Sequence, residues 1–192
     1  MIYTISGLIC HQMPERSIFI GGIQLPLCAR CTGIYGSIFI FFLYFLLRKR
    51  FRADYPPKTG LLIFTVCCLA PFMYDGGSAY MGFHATNNLT RILTGAFAGL
   101  PLSFLIIFLL NLKTFMSGGK HEPIIKNVID ILPLIICILL SYAVYRGSLP
   151  WIIPAVVSFL GLVSFFGLLI FILGRAVYGK ITKRKLKNLN GE

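Results

Sequence analysis

Long apolar runs constrain the fold of this chain more than any other feature of its sequence. A helix needs about 20 apolar residues to cross the hydrocarbon core of a bilayer. We read five runs that approach or exceed this length, at about 32–47, 59–75, 91–112, 127–145 and 150–174. The stretch Ile38–Leu47 is apolar on every face, whereas a soluble helix keeps a polar stripe toward water. The sequence therefore predicts an all-α integral membrane bundle of about five transmembrane helices.

The net charge of +12 is spread unevenly along the chain, and this asymmetry predicts an orientation. Fourteen of the 18 Lys and Arg residues follow the first, third or fifth apolar run. Because basic loops remain in the cytoplasm, we expect a multi-pass protein of the cell membrane with its N-terminus outside and its C-terminus in the cytoplasm. Nucleic acid is not an expected partner, since no groove-reading motif accompanies the charge. The expected partner is the lipid bilayer itself.

A single membrane domain accounts for residues 1–192. Residues 1–31 form an extracytoplasmic Cys/His-rich segment in this interpretation, and 175–192 form a basic cytoplasmic tail that meets anionic headgroups. No signal peptide is expected, because the N-terminus has no basic region and a Cys-His pair interrupts its short apolar stretch. The sequence does not indicate an oligomeric state.

The N-terminal segment carries the clearest chemical signal, which is a candidate metal site. Cys28 and Cys31 are two residues apart, a common half-site for zinc, and Cys10 and His11 lie upstream in the same polar segment. Zinc is therefore the expected cofactor, with the three cysteines as the best ligands and His11 as a fourth ligand or a neighbour. Four ligands would make a closed structural site, whereas three would leave a position for an activated water.

Redox chemistry is the main alternative for these cysteines. Thiols outside the cytoplasm tend to oxidise, and Cys28 and Cys31 at a helix mouth superficially resemble the redox pair of quinone-linked membrane thiol oxidoreductases. A plain structural disulfide is a further alternative. No second pair is evident on the same side, because Cys67, Cys68 and Cys137 fall inside the apolar runs and are expected to pack there.

Further polar residues are expected on the same side of the membrane. Asp75 ends the second run, and it or His84 is a candidate to complete the metal shell or to act as a general base. Arg30 and Arg91 precede the first and third runs, where helix N-termini also favour anions. A pairing between Asp75 and Arg91 or a helix cap is the simpler alternative for this carboxylate. Gly95, one turn before Gly99, predicts a close helix–helix contact.

A family resemblance groups these residues. The strings from Cys10 to Ser17, from Pro26 to Gly36 and from Asn88 to Gly95, with Asp75-Gly76, resemble a family of small prokaryotic multi-pass membrane proteins catalogued only as a domain of unknown function. The motifs that carry the resemblance lie within about residues 8–100. The resemblance implies that one signature contains the cysteines with His11, Arg16, Ser17, Asp75, Asn88 and Arg91, and it implies no activity.

The functional hypothesis combines the metal with the charged residues. We expect metal-assisted hydrolysis of a lipid-linked or anionic substrate, with Asp75 as the catalytic base. The substrate-binding candidates are Arg16, Ser17, Arg30, Asn88 and Arg91, although Ser17 can equally satisfy a turn. The alternatives are a quinone-linked thiol–disulfide oxidoreductase that uses Cys28 and Cys31, and a non-enzymatic membrane protein with a structural zinc site.

Overall fold

The computed structural model of the protein describes residues 2–50, 53, 55–82, 86–116 and 122–189. His84, named above as a candidate ligand or base, lies outside these residues. The helices are α1 (Ile2–Gly7), α2 (Ala29–Leu47), α3 (Thr59–Cys67), α4 (Ala70–Tyr80), α5 (Asn88–Met116), α6 (Leu132–Tyr145) and α7 (Ile152–Leu189). Two short 3-10 turns, Pro14–Arg16 and Val128–Ile131, complete the helical elements of this part of the chain.

Five helical segments are long and apolar enough to cross a membrane, which confirms the predicted bundle. We call the end of the bundle that carries residues 2–31, the last turn of α4 and the first turn of α5 the N-terminal face, and the other end the C-terminal face. The segments are Ala29–Leu47, Thr59–Tyr80, Asn88–Leu112, Val128–Tyr145 and Ile152–Tyr178.

The second span departs from the sequence prediction in length and shape. We expected it to end at residue 75, but α4 continues to Tyr80, because an ion pair with Arg30 neutralises the charge of Asp75 inside the helix. The span is also broken into α3 and α4. Pro71 lacks an N–H group and its ring crowds the carbonyl four residues earlier, which is that of Cys67, the last residue of α3.

A β-hairpin in the N-terminal segment is a feature that the all-α prediction omitted. Strands β1 (Ser17–Ile20) and β2 (Ile23–Cys28) pair antiparallel, with Ile20 opposite Ile23. The two turn residues, Gly21 and Gly22, have φ angles of 59° and 78°. Two consecutive positive φ angles are typical of the two-residue turns that join the strands of a β-hairpin, and glycine adopts such angles without strain. The Gly-Gly pair between two isoleucines was therefore the sequence feature that indicated a hairpin.

Helix α2 lies at the centre of the bundle, packed against α5 and α7. Glycines allow the backbones to approach closely: a Cβ atom on Gly95 would collide with the carbonyl of Arg30, and one on Gly99 would collide with Ser37. Gly33 faces the carbonyl of Ile92 in the same way. The predicted close contact at Gly95 and Gly99 is thus confirmed, and its partner is α2.

At the C-terminal face, polar groups around Asp130 connect the end of α2 to the segment before α6. This buried carboxylate accepts hydrogen bonds from the backbone N–H groups of Lys126 at 2.7 Å and Asn127 at 3.1 Å, and from the Tyr44 hydroxyl at 2.8 Å. Arg50 lies 3.3 Å from it. The end of α2 is thereby tied to the segment before α6, and the buried charge is fully paired, as such groups must be.

The packing of α7 on α2 can be tested at two glycines of the same helix. A methyl group on Gly161 would meet the carbonyl of Tyr35, whereas nothing lies within 4 Å of one on Gly167. We expect Gly161→Ala to lower the free energy of unfolding by roughly 1–3 kcal/mol through overpacking. Gly167→Ala should be neutral or slightly stabilising, because alanine favours helix by ~1 kcal/mol. Unfolding midpoints in detergent would contradict this contact if the two variants behaved alike.

Candidate metal centre

Three cysteines meet at the N-terminal face. The sulfur atoms of Cys10, Cys28 and Cys31 all lie within 4.8 Å of one another. Cys10 is buried, and the other two side chains are half-buried. None of the three forms a disulfide. The structure thus brings together three of the four residues that the sequence proposed as metal ligands.

Three different elements deliver these thiols. Cys10 follows the turn that ends α1, where its N–H group donates to the carbonyl of Ser6 at 2.9 Å. Cys28 is the last residue of β2 and precedes the first residue of α2, so the hairpin and the helix fix it together. Cys31 lies in the first turn of α2. The two-residue spacing therefore spans a strand–helix junction, which points both side chains toward the loop of Cys10.

Hydrogen bonds favour a thiolate at Cys10. Donation from the Cys28 thiol and then from the Cys31 thiol holds the pKa of Cys10 well below its ordinary range, and burial opposes this only in part. The same hydrogen bond raises the pKa of Cys28, which acts as the donor. The Cys28 N–H group also points at the Cys10 sulfur, at 3.3 Å. The contacts therefore stabilise one thiolate, at Cys10, and the thiolate is the form that binds metal.

The spacing of the thiols suits a tetrahedral metal. Zinc–sulfur bonds of about 2.3 Å hold sulfurs roughly 3.8 Å apart in a tetrahedron, so small side-chain rotations suffice to reach that geometry. The three cysteines can hold a metal ion. His11 is exposed and its ring is not among the clustered ligand atoms, so the structure does not bring it in as a fourth ligand.

The thiols form part of the wall of a cavity of about 670 Å³. Residues of the N-terminal segment, α2, α4 and the start of α5 surround it. Arg16, Arg30 and Arg91 line it together with the three cysteines and His11. The remaining lining residues are Ile9, Gln12, Met13, Gly76, Ala79, Tyr80 and Thr86. The cavity thus joins sulfur ligands to a cationic surface, as the sequence hypothesis required.

Asp75 is close to this cavity but does not line it. Its side chain is buried and forms an ion pair with Arg30, and it accepts a 3.4 Å hydrogen bond from the Thr94 hydroxyl. Arg91, the partner considered from the sequence, donates instead to Thr86 at 2.8 Å and to Asn88 at 3.2 Å. A catalytic role for Asp75 stays a prediction, and the carboxylate is placed to orient Arg30.

Ser17 and Asn88 hold the segment to the bundle. The buried Ser17 hydroxyl donates to the carbonyl of Met13 at 2.8 Å and accepts from Gln24 at 3.0 Å. Asn88 at the start of α5 donates to the Ser17 carbonyl at 3.0 Å. Neither residue lines the cavity. These contacts favour the turn interpretation of Ser17, and they tie the N-terminal segment to the third span.

Two glutamines position the centre and were not singled out from the sequence. Gln12 has a φ of 49°, and its side chain donates to the carbonyls of Tyr3 at 2.8 Å and Pro26 at 2.9 Å. Gln24 donates to the Gln12 carbonyl at 2.8 Å, and its own carbonyl accepts from the Trp151 indole at 3.1 Å. Gln12 belongs to the string from Cys10 to Ser17 that carries the family resemblance. Nothing in the sequence around Gln24 indicated a structural role.

Comparisons with known proteins extend this picture. The model of a family described as "Predicted membrane protein (DUF2085)" matches residues 10–105. An uncharacterised protein of Methanocaldococcus jannaschii is 36% identical over 107 residues, which are 55% of this chain and 66% of that protein. An uncharacterised protein of Methanothermobacter thermautotrophicus is 37% identical over 98 residues, 50% of this chain and 83% of its own.

No solved structure matches the chain. The matched family region contains the three cysteines, the three arginines of the cavity and Asp75, so the whole candidate centre lies within it. This protein therefore belongs to the DUF2085 family of predicted membrane proteins.

Proposed function

We propose that the protein is a zinc-dependent hydrolase of the extracytoplasmic membrane surface, acting on an anionic, lipid-linked or soluble substrate. Cys10, Cys28 and Cys31 hold the metal in this proposal, and the fourth position opens on the cavity. One observation carries it: three clustered thiols share a cavity wall with three arginines. A closed structural site would need a fourth protein ligand at the cluster, and among the described residues the cluster consists of these three.

Charge supports an anionic substrate. Three thiolates and the Asp75 carboxylate carry four negative charges, a zinc ion brings two positive charges, and three guanidinium groups bring three. One positive charge is left over at the loaded centre. Asp75 neutralises Arg30, whereas Arg16 and Arg91 form no ion pair within the described part of the chain. These two side chains are therefore the ones expected to hold the negative group of a substrate.

The position of each residue at the cavity indicates its role in the proposed reaction. A zinc ion held by Cys10, Cys28 and Cys31 would supply a bound water of lowered pKa at the fourth position. Arg16 and Arg91 hold the negative group of the substrate, and Arg30, oriented by Asp75, adds a third guanidinium to its binding. Gln12 and Gln24 fix the loop that carries Cys10. We assign Asp75 to positioning Arg30. A role as general base is the alternative, and kinetic measurements on Asp75→Asn distinguish the two.

The metal is tested by elemental analysis of purified protein. We expect roughly one zinc per chain, in keeping with a single cluster. Cys10→Ser, Cys28→Ser and Cys31→Ser should each bring the zinc content close to zero after dialysis. Cys67→Ser is the matched control, because this thiol is exposed on the second span and remote in sequence from the cluster. Thiols that react only after chelation would agree with the metal, whereas metal-free protein with a Cys28–Cys31 disulfide would favour the redox alternative.

Orientation is tested by single introduced cysteines. Ser148, in the turn between α6 and α7, is exposed at the N-terminal face, and Lys58 is exposed beside α3 at the C-terminal face. A membrane-impermeant maleimide should label Ser148→Cys in intact cells and Lys58→Cys only after permeabilisation, with the parent protein as background. The opposite labelling pattern would put the cysteine cluster in the cytoplasm and overturn the proposed location.

Hydrolysis is tested with p-nitrophenyl phosphate and its bis ester as chromogenic probes. Activity should disappear on chelation, return with zinc and be absent in Cys28→Ser. If Asp75 positions Arg30, Asp75→Asn should mainly raise KM; if it is the general base, kcat should fall by about 10²–10⁴ with KM little changed. Zinc-loaded protein that cleaves neither probe nor any other phosphate or carboxylate ester would leave a structural zinc site as the better description.

A further inference from the structure

The cavity has an apolar rim on two sides. Gly76, Ala79 and Tyr80 face it from α4, at the spacing that places residues on one side of a helix. Ile9 and Met13 face it from the N-terminal segment and are both more than one-third exposed. These residues lie around the outer ends of membrane-spanning helices. The rim is therefore positioned at the level of lipid headgroups and of the first carbons of their chains, and the arginines line the same cavity.

The boundary between α2 and α4 is loose. Helix α4 packs along α5 and makes little close contact with α2. Side chains bridge the gap instead: Arg30 forms the ion pair with Asp75, and its guanidinium lies 5.9 Å from the centre of the Phe72 ring. Gly76 lies against this arginine, since a Cβ there would be in van der Waals contact with Nη1, at 3.6 Å. The boundary therefore depends on the side chains of Arg30, Asp75 and Phe72 rather than on close packing of the two helices.

The polar part of this cavity suits a phosphate group. Three guanidinium groups line one cavity, and each offers several donors in a planar fork that matches phosphate oxygens. The Nε atom of Arg30 is buried and has no hydrogen-bond partner in the described structure. A single carboxylate, with two oxygens, would engage fewer of these donors than a phosphate with three free oxygens.

We propose that the cavity binds a phosphate-bearing lipid, which reaches it sideways from the bilayer through the boundary between α2 and α4. The phosphate contacts Arg16, Arg30 and Arg91, and the glycerol and the first carbons of the acyl chains lie against the Gly76–Ala79–Tyr80 face of α4. What happens to the phosphate after binding rests on the proposed function. Binding itself does not require hydrolysis at the metal.

Binding is tested on purified protein in detergent with three probes. Dioleoyl phosphatidic acid has both the phosphate and the chains, dioleoylglycerol has the chains alone, and glycerol 3-phosphate has the phosphate alone. We expect phosphatidic acid to bind at least tenfold more tightly than either of the others, as measured by the shift of the unfolding midpoint with ligand concentration. Equal binding of glycerol 3-phosphate would show a soluble phosphate site, and equal binding of dioleoylglycerol would show a chain site; both results overturn the proposal.

Matched variants locate the two ends of the ligand. Arg91→Gln should weaken phosphatidic acid binding roughly tenfold or more, the loss expected for a charged hydrogen bond. Arg146→Gln removes an exposed arginine of the α6–α7 turn that does not line the cavity, and it should change nothing. Ala79→Trp should block the apolar rim and abolish the advantage of phosphatidic acid over glycerol 3-phosphate. Tyr74→Trp, on the opposite and exposed face of the same helix, should retain it.

Failure of this inference is separable from failure of the proposed function. Zinc-dependent cleavage of soluble esters without preferential binding of phosphatidic acid overturns the lipid inference alone. Preferential binding of phosphatidic acid, equal in zinc-loaded and zinc-depleted protein and without hydrolysis of any ester, supports the lipid inference and overturns the hydrolase. Equal effects of Arg91→Gln and Arg146→Gln would show that the lipid binds outside the cavity.

Discussion

The close approach of α2 to α5 is the constraint on which the rest of the structure depends. Gly33, Gly95 and Gly99 remove the side chains that would otherwise separate these two helices. Because the backbones meet at the N-terminal face, the first turns of both helices lie side by side. Arg30 and Cys31 on one helix thereby share a cavity with Arg91 on the other. A larger side chain at this contact would move the cationic and sulfur-bearing parts of the centre relative to each other.

The two ends of the bundle differ in how their polar groups are satisfied. At the C-terminal face, the buried Asp130 is enclosed by backbone N–H groups, a hydroxyl and Arg50, so groups of the protein itself satisfy its charge. At the N-terminal face, Arg16 and Arg91 line an open cavity, and the Arg30 Nε atom is left without a partner in the described structure. Polar groups without protein partners mark the end where a ligand can supply them.

The sequence predicted features that depend on local pattern and missed those that depend on distant contacts. Apolar runs gave the five spans, and glycine spacing gave the helix contact, since both follow from the periodicity of the helix. The extension of the second span beyond Asp75 could not be foreseen, because the partner that neutralises this charge, Arg30, is 45 residues away in sequence. Cys10 was grouped correctly with Cys28 and Cys31 because a short polar segment connects them. His11 was grouped with them on proximity alone, and its side chain lies apart from the cluster.

The hydrogen bond from Trp151 to the carbonyl of Gln24 joins residues 127 positions apart and has a consequence for biogenesis. The hairpin packs on the turn between the fourth and fifth spans, where Ile18, Ile20 and Leu25 share an apolar cluster with Val144 and Ala155. A ribosome releases the N-terminal segment first and the last span last. The segment that carries Cys10 and Cys28 also contacts Asn88 of α5, but it can complete its docking only after α7 has been made and inserted. Metal capture by this segment would then report that the whole bundle has been assembled.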